Sequence, residues 1–431
     1  MALFARLMVL MVIAALVAVP AAMAQTKPKT AKGHLRLQGG QWNASKDIKA
    51  AQQIPEDTRQ LNLAQIPSTP PRGQVRVQGR PLAEPEEPLP VPPGLSVDLR
   101  QQMRKFIQSI STFTRRYHQN FAVVTRGGLE LLIKRDPVEE TRYSPARTYM
   151  RSIDGVLLEG LYYGQKVFGE PTSTVSQSRK LRLADIGKKY GLKVFVVDFS
   201  TDHRSIEDAF NRNKAKGYVS TTAHAPIIEL NSFPPHPARP FNESPHSIAS
   251  VKDVMTFGFI TNSQTFGRAD VFALKMKETN YDLLIVDVMH GRKPLNKRAV
   301  ETLKFKKIGG RRLVFATIDI GAASSHRHYW KQTWREGSPN WIKDPVRDAP
   351  DSHYVEFWRP EWQRIISGDT KSYVYGIIAL GFDGVILEGI EQAYRFFEGG
   401  GEEEEEQTPT AAAPAAPRQA PAAPAAPAPP Q

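Results

Sequence analysis

The chain has 431 residues, a formal net charge of +13 and no cysteine. Its length exceeds what one small domain needs, and the lack of cysteine excludes thiol catalysis, disulfide bonds and cysteine-ligated metals. The charges of the segments outside residues 98–397 cancel, so the positive charge belongs to those residues and favours an anionic partner.

The first predicted element is a secretory signal peptide over residues 1–24. Arg6 precedes an apolar run from Leu7 to Val19, and Ala22-Met23-Ala24 has the small residues of a cleavage site. This run is shorter than the roughly 20 residues that a membrane span requires. We therefore expect cleavage after Ala24, a secreted or periplasmic protein, and no transmembrane segment in the mature chain. An uncleaved membrane anchor is the alternative.

Two further segments have compositions typical of disorder. Residues 25–97 are rich in Pro, Gln and charged residues, and include the stiff stretch EPEEPLPVPPG from Glu84 to Gly94. Residues 398–431 combine glycines, a run of glutamates and an Ala/Pro tail. Neither segment has enough apolar residues to form a core. The prediction is a single folded domain over residues 98–397.

That domain contains eight short apolar runs without polar alternation, as is typical of strands covered on both faces. Helical patterns separate most of them, over residues 176–190, 205–216, 267–279 and 296–306. Eight β-α units in a domain of this size predict an α/β fold, a single closed (β/α)8 barrel of the TIM type. The runs begin at Asn120, Asp154, Lys193, Gly217, Phe257, Asp282, Arg312 and Phe382.

In such a barrel the functional residues lie at the C-terminal ends of the strands. Five of the eight predicted strands end in a carboxylate. Helix capping explains any one of these acids, but explains five on one rim poorly. A pair of carboxylates is the usual apparatus for cleaving a glycosidic bond, with one as acid and the other as nucleophile or base. The five are Glu159, Asp198, Asp287, Asp319 and Glu388.

Glu159 and Glu388 are the predicted catalytic pair, because they end two nearly identical segments. These are DGVLLEG from Asp154 and DGVILEG from Asp383. They form the second and eighth predicted strands, so closure of the barrel leaves only the first strand between them. This placement brings the two carboxylates close together, and leaves open whether the reaction retains or inverts the anomeric centre.

Aromatic residues near the same strand ends predict a sugar-binding site, because aromatic rings stack on the CH faces of sugars. Tyr163 follows the second strand, and Tyr329 and Trp330 follow the seventh. Arg327 lies two residues before Tyr329 and is suited to hold a carboxylate or a substrate oxygen. Packing of an elaborate loop is the alternative role for the tryptophans.

A metal-dependent site is a further alternative, because His290, His326 and His328 lie near Asp287 and Asp319. The chain has no HExxH motif, no phosphate-binding GxxxxGK[ST] loop and no GxSxG nucleophile elbow. We therefore expect no metal and no cofactor. The chain also has no motif of a nucleic-acid-binding fold, so we expect no nucleic-acid partner.

Two halves of the domain carry motifs of one family in exchanged order. Residues 257–397 contain YDLLIVDV, RRLVFATIDIGAASSHRHYW, HYVEFWRPEWQRII and ALGFDGVILEGIEQAYRFFE, and residues 106–234 contain NFAVVTRGGLELL, IDGVLLEGLYYG, KVFVVDFS and KGYVSTTAH. The first set resembles the front half, and the second set the back half, of the endo-α-1,4-polygalactosaminidase-type glycoside hydrolases (glycoside hydrolase family 114). The resemblance implies a circularly permuted barrel, which a closed ring of strands tolerates.

The resemblance also implies roles for individual residues. It makes Glu388 the nucleophile or base and Glu159 the acid, although the family usually has aspartate at the positions of Glu388 and Glu391. The family's substrate is a cationic amino-sugar polymer, whereas the positive charge of residues 98–397 favours an acidic or N-acetylated glycan. The predicted substrate-binding residues are Asp198, Asp287, Asp319, Arg327, Tyr163, Tyr329, Trp330 and Glu391.

The sequence thus predicts an exported glycoside hydrolase that cleaves an envelope or matrix polysaccharide, an amino-sugar polymer by the resemblance. An anionic envelope surface is a second expected partner. A carbohydrate-binding barrel without catalysis and a metal-dependent barrel hydrolase are the alternative functions.

Overall fold

The computed structural model describes residues 98–135, 143–347 and 349–399. The predicted signal peptide over residues 1–24 and the predicted linker over residues 25–97 lie outside these ranges, as do residues 400–431 of the predicted tail. The predictions of disorder for these segments concern residues beyond the described part of the chain.

Each of the eight predicted strands is present, and together they form one parallel sheet. They are β1 (Ala122–Arg126), β4 (Gly155–Glu159), β5 (Lys193–Phe199), β6 (Val219–Ala223), β7 (Phe257–Ile260), β8 (Leu283–Asp287), β11 (Leu313–Asp319) and β15 (Gly384–Glu388). Their order in the sheet is β6-β5-β4-β1-β15-β11-β8-β7, and the end strands β6 and β7 come together. The sheet is therefore a nearly closed barrel, and the predicted α/β barrel fold is confirmed.

Helices cover the outside of this barrel. The four helical patterns predicted between strands are present and differ by only a few residues at their ends. In the described ranges, no helix combines the length and the apolar composition of a membrane-spanning segment. The helices are α1 (Leu99–Tyr117), α2 (Arg147–Met150), α3 (Thr174–Lys189), α4 (His203–Lys216), α5 (Ala269–Lys277), α6 (Lys297–Leu303), α7 (Pro360–Ser367), α8 (Tyr373–Leu380) and α9 (Ile390–Glu398).

Small antiparallel sheets occupy several connections. Two hairpins pair β2 (Ile133–Arg135) with β3 (Tyr143–Pro145) and β9 (Met289–His290) with β10 (Lys293–Pro294). A three-stranded sheet lies between β11 and α7 in the chain. It consists of β12 (Ala322–Ser324), β13 (Ile342–Val346) and β14 (Ala349–Val355), with β14 in the centre.

Strand side chains alternate between the inside and the outside of the barrel. Inside, Val124, Leu157, Phe195, Phe315 and Ile386 belong to one packed cluster. The alternate strand residues point outwards and pack against the helices. The same alternation places the last residues of five strands on the inner face at the rim: Arg126, Glu159, Asp287, Asp319 and Glu388.

The two repeated DGV segments occupy equivalent places in this ring. Asp154 accepts a hydrogen bond from the N–H of Val123 on β1 at 2.8 Å. Asp383 accepts one from the N–H of Val314 on β11 at 3.0 Å, and each aspartate also pairs with an arginine. Each thus fastens its own strand to the beginning of a neighbouring strand. The repetition in sequence reflects the same structural role at two positions.

The barrel closes between β6 and β7 without a hydrogen-bonded ladder between these two strands in the described structure. Residues 224–256 connect them through two short 3-10 turns, Ile227–Glu229 and Val251–Asp253, and contain no α-helix. Apolar side chains of this connection instead fill the barrel core beside the two strands: Ile227, Leu230, Ile248, Val251 and Val254. We call this junction the seam.

A buried ion pair holds the connection in place. Lys306 and Asp282 are both fully buried, and their charged atoms lie 2.7 Å apart. The Lys306 ammonium also donates to the carbonyl oxygens of Ser244 and His246, at 2.9 and 2.7 Å. All three donors of the ammonium are therefore used, which a buried charge requires.

Replacement of Lys306 by methionine should lower the free energy of unfolding by about 3–5 kcal/mol, because Asp282 is left buried without its cation. Urea unfolding of Lys306→Met measures the loss. Lys307→Met is the matched control, since Lys307 is exposed and lies 3.7 Å from the exposed Glu278. That variant should lose less than about 1 kcal/mol. Equal losses in the two variants would contradict the role given to Lys306.

Candidate active site

Arg126, at the end of β1, lies between the two predicted catalytic glutamates and contacts both. Its Nε donates to Glu159, and its Nη1 donates to Glu388 at 2.8 Å. Burial opposes the positive charge of Arg126, but the two glutamates outweigh burial, so the pKa of Arg126 is raised. The side chains are 24% (arginine), 35% (Glu159) and 20% (Glu388) exposed, so solvent still reaches all three.

The order of the strands explains this arrangement. β1 pairs with β4 on one side and with β15 on the other, so only β1 separates the two glutamates. A glycine follows each glutamate, and Gly160 and Gly389 have φ angles of +54° and +71°. This left-handed conformation favours glycine and turns the chain at once away from the strand. Each carboxylate is therefore presented at the very end of its strand.

Asp319 on β11 is the next carboxylate around the rim, opposite Glu388 in register. One of its oxygens accepts hydrogen bonds from the N–H groups of Gly321 and Ala322, both at 2.8 Å. Burial raises the pKa of Asp319 to about 6 against these hydrogen bonds, and the charge of Glu388 adds to the rise. Asp319 thus has two backbone donors where the glutamates beside it have an arginine.

Asp287 on β8 continues the series and is held by Arg327. The two side chains form a bidentate ion pair, with N–O distances of 2.7 and 2.8 Å. Burial opposes the charge of Arg327, but the ion pair with Asp287 outweighs it and the pKa of Arg327 is raised. A planar pair of this kind fixes both groups in orientation as well as in position.

Tyr329 and Trp330 belong to an aromatic cluster above the seventh strand. The ring of Tyr329 lies edge-on to Trp362 and Tyr373, with centroids 5.5 and 5.8 Å apart. Its hydroxyl accepts a hydrogen bond from the N–H of Ser324 at 3.2 Å. Trp330 packs edge-on against Trp334, with centroids 5.6 Å apart. The cluster supports the loop that carries Arg327.

The structure does not bring Asp198 and Tyr163 to the inner rim. Asp198 is fully buried on the outer face of β5, where it accepts hydrogen bonds from the N–H groups of Tyr162 and Tyr163 and from Asn213. Tyr163 turns towards α4, and its hydroxyl donates to Asp208 at 2.9 Å. Both residues shape the loop after β4.

Glu391 lies beside the rim, where neighbouring groups already bind its carboxylate. It accepts a hydrogen bond from the N–H of Gly128 at 3.2 Å and pairs with Arg395 at 2.6 Å. These contacts tie the start of α9 to the turn after β1. Glu391 therefore holds together the two segments that follow Arg126 and Glu388.

The predicted histidines are dispersed. His290 bonds to the Ser263 hydroxyl at 2.9 Å and to the Gly267 carbonyl at 2.6 Å, and His328 packs against Tyr373. Among the residues that the structure describes, no three His, Asp or Glu side chains form a group that could hold a metal ion.

Sequence reasoning missed Arg126. The signal was present, because an arginine directly follows the apolar run of the first strand and precedes two glycines. Its partners, 33 and 262 residues away along the chain, were visible only once the strand order was known.

A small cleft lies elsewhere, at the seam. Phe210, Phe241 and Met255 contribute apolar walls to it, and Thr222 and Asn242 contribute polar groups. None of the charged rim residues lines it. The charged groups converge on the rim and not on this cleft.

The comparisons with known proteins name no activity. No family model matches the chain. It is similar to an uncharacterised protein of Methanocaldococcus jannaschii (30% identical over 131 residues), one of Deinococcus radiodurans (36% over 84) and one of Thermotoga maritima (25% over 118). These matches cover 30, 20 and 27% of this chain, and 36, 26 and 35% of the three relatives. The chain thus spans only about a quarter to a third of the length of these relatives.

The raised pKa of Asp319 predicts a pH-dependent stability. The folded state holds this proton up to about pH 6 and the unfolded state only to about pH 3.8. The stability that Asp319 gains from its proton is therefore fully present below pH 3.8 and is lost as pH rises through 6. Between pH 4 and 7 the free energy of unfolding of the parent should fall by up to about 3 kcal/mol relative to that of Asp319→Asn.

Urea unfolding at several pH values measures this difference. Asp351→Asn, at an exposed position of β14, controls for the removal of one carboxylate. Parallel stability curves for the parent and Asp319→Asn would show that Asp319 does not bind this proton.

Proposed function

We propose that the protein is a glycoside hydrolase whose rim carboxylates cleave a sugar-to-sugar bond. The observation that carries the proposal is the convergence of Glu159 and Glu388 on Arg126. Two acids 229 residues apart in the chain share one cation at the end of the barrel where such folds hold their active sites. The resemblance to glycoside hydrolase family 114 supports the same two residues.

In this proposal Glu388 acts as nucleophile or base, and the leaving oxygen takes a proton from a second rim carboxyl. The resemblance assigns the role of this proton donor to Glu159. Arg126 orients both carboxylates, because its planar guanidinium donates in different directions. Arg327, fixed by Asp287, is available at the other end of the arc to orient the sugar.

A polymer with acidic or N-acetylated sugars is the proposed substrate class. The positive charge of residues 98–397 supports an anionic or neutral chain over a cationic one. The aromatic cluster around Tyr329 and Trp330 supports a sugar ligand, since partly exposed rings can stack on its apolar faces.

Export and circular permutation belong to the same proposal. The apolar run from Leu7 to Val19 and the residues Ala22 to Ala24 support export to an envelope or matrix substrate. The matches to relatives support permutation, because they extend over at most 131 residues. A permuted chain aligns continuously with an unpermuted one over only one of its two parts.

A second candidate function is a carbohydrate-binding barrel without catalysis. The specific observation in its favour is that Arg126 engages both glutamates at once. The two acids that would flank the bond are thus also used to balance one charge. Such a site can bind a glycan through hydrogen bonds without cleaving it.

Glutamine variants of the two glutamates separate these functions. Glu388→Gln and Glu159→Gln should each lower the release of reducing ends by at least about 10²-fold, because each removes a group that acts in the transition state. The assay uses an α-1,4-linked galactosamine polymer and its N-acetylated form. Glycan binding is measured in parallel by calorimetry.

Glu361→Gln, on the exposed side of α7, is the matched control and should keep the parent's activity. If the parent releases no reducing ends while both active-site variants bind glycan as the parent does, the binding function replaces the catalytic one.

A further inference from the structure

Asp319 differs from the other rim carboxylates in its partners. Glu159 and Glu388 share Arg126, and Asp287 has Arg327 to itself. Asp319 makes no ion pair with any residue that the structure describes, and its hydrogen bonds come from two backbone N–H groups. A carboxylate paired with an arginine must give up that pair to take up a proton, whereas Asp319 has no such contact to lose.

The surroundings of Asp319 favour a proton there. Glu388 faces it from the neighbouring β15, and Asp287 ends β8 on its other side. Arg327 and Tyr329, on the loop after β12, are close enough for their charges to interact with that of Asp319. Burial raises the pKa of Asp319 more than any of these groups changes it. Two carboxylates at close range do not both ionise readily, so a proton held there resides on the one without an arginine partner, which is Asp319.

The chain approaches Asp319 so closely that only glycine fits. A Cβ on Gly389 would lie 2.1 Å from a carboxylate oxygen of Asp319, and one on Gly321 would lie 2.0 Å from the Gly389 carbonyl oxygen. The indole of Trp362 donates to the Ile320 carbonyl at 2.9 Å and holds this segment from the other side. The side chain of Asp319 is thus fixed beside Glu388, as a proton donor must be.

We propose that Asp319, rather than Glu159, is the catalytic acid that donates the proton to the glycosidic oxygen. This inference rests on the proposed function and changes the assignment of one role in it. Neighbouring strands lie about 4.8 Å apart, which suits the roughly 5–5.5 Å between the carboxyl groups of retaining enzymes. Glu159, with Arg126, then orients Glu388 as a positioning residue.

The reaction proceeds in two steps. In the first, an oxygen of Glu388 bonds to the anomeric carbon while the bond from that carbon to the glycosidic oxygen breaks, and the proton of Asp319 passes to that oxygen. In the second, the oxygen of a water molecule bonds to the anomeric carbon, one of its protons returns to Asp319, and the bond to Glu388 breaks. One water is consumed, and both carboxyl groups end as they began.

The test compares a poor and a good leaving group. The substrates are an α-linked N-acetylgalactosamine oligomer and the 2,4-dinitrophenyl glycoside of the same sugar, whose leaving group needs no proton. In kcat/KM, which reports the first step, Asp319→Asn should lose about 10²–10⁴-fold on the oligomer and less than about 10-fold on the dinitrophenyl glycoside. It should also remove the alkaline limb of the pH–rate profile. Glu159→Gln should lower kcat/KM for both substrates by the same factor.

Asp351→Asn, at an exposed position of β14, is the control for the removal of one carboxylate and should keep the parent's rates on both substrates. Circular dichroism verifies that both aspartate variants are folded. If Asp319→Asn loses activity equally on the two substrates, or if Glu159→Gln shows the selective loss instead, the assignment to Asp319 is overturned.

A measurement without turnover separates this inference from the proposed function. In protein labelled with carboxyl-13C aspartate, the NMR signal that disappears in Asp319→Asn should titrate near pH 6. A signal already ionised at pH 5 refutes the inference even in an active enzyme. If the signal titrates as expected but the parent cleaves neither substrate, the proposed function fails and the catalytic role of Asp319 fails with it.

Discussion

The ion pairs of Arg126 with Glu159 and Glu388 are the interaction on which the site depends. Three neighbouring strands each contribute one charged residue to the inner rim, and the guanidinium holds the two acids in fixed directions. Without the cation, two carboxylates would face each other across a single strand in a partly buried place. Their mutual repulsion would then oppose the closure of the barrel at this point.

The rim combines three acids that are paired with arginines and one acid that is not. Around five adjacent strands the order is Glu159, Arg126, Glu388, Asp319 and Asp287, with Arg327 paired to the last. Two arginines serve three of the four carboxylates. The remaining one, Asp319, is enclosed by backbone and has a pKa raised to about 6. The surroundings of Asp319, and not its residue type, therefore raise its pKa.

The sequence predicted the barrel because its signals are local. The eight apolar runs, the helical patterns between them and the paired DGV segments all specify structure within a few residues. The predicted closeness of Glu159 and Glu388 also followed, because the order of strands in a closed barrel is fixed by the chain order.

What the sequence could not predict depends on contacts between distant segments. Arg126 meets its two glutamates only through the pairing of three strands. The burial of Asp319 depends on Gly389, which follows another strand. Asp198 ends an apolar run as the other acids do, but one step of strand alternation turns it to the outer face, where it binds backbone N–H groups. The end of a strand, identified from the sequence, predicts that a residue lies near the rim. It does not predict which face of the sheet the side chain occupies.

The seam between β6 and β7 lies across the barrel from β15, the strand that carries Glu388. The ladders are continuous from β4 to β8, the span that supplies every charged rim residue. Thermal opening of the ring would therefore begin at the junction with the fewest hydrogen bonds and spread last to the acids. One side of the barrel can therefore loosen while the opposite side keeps its charged rim residues in place.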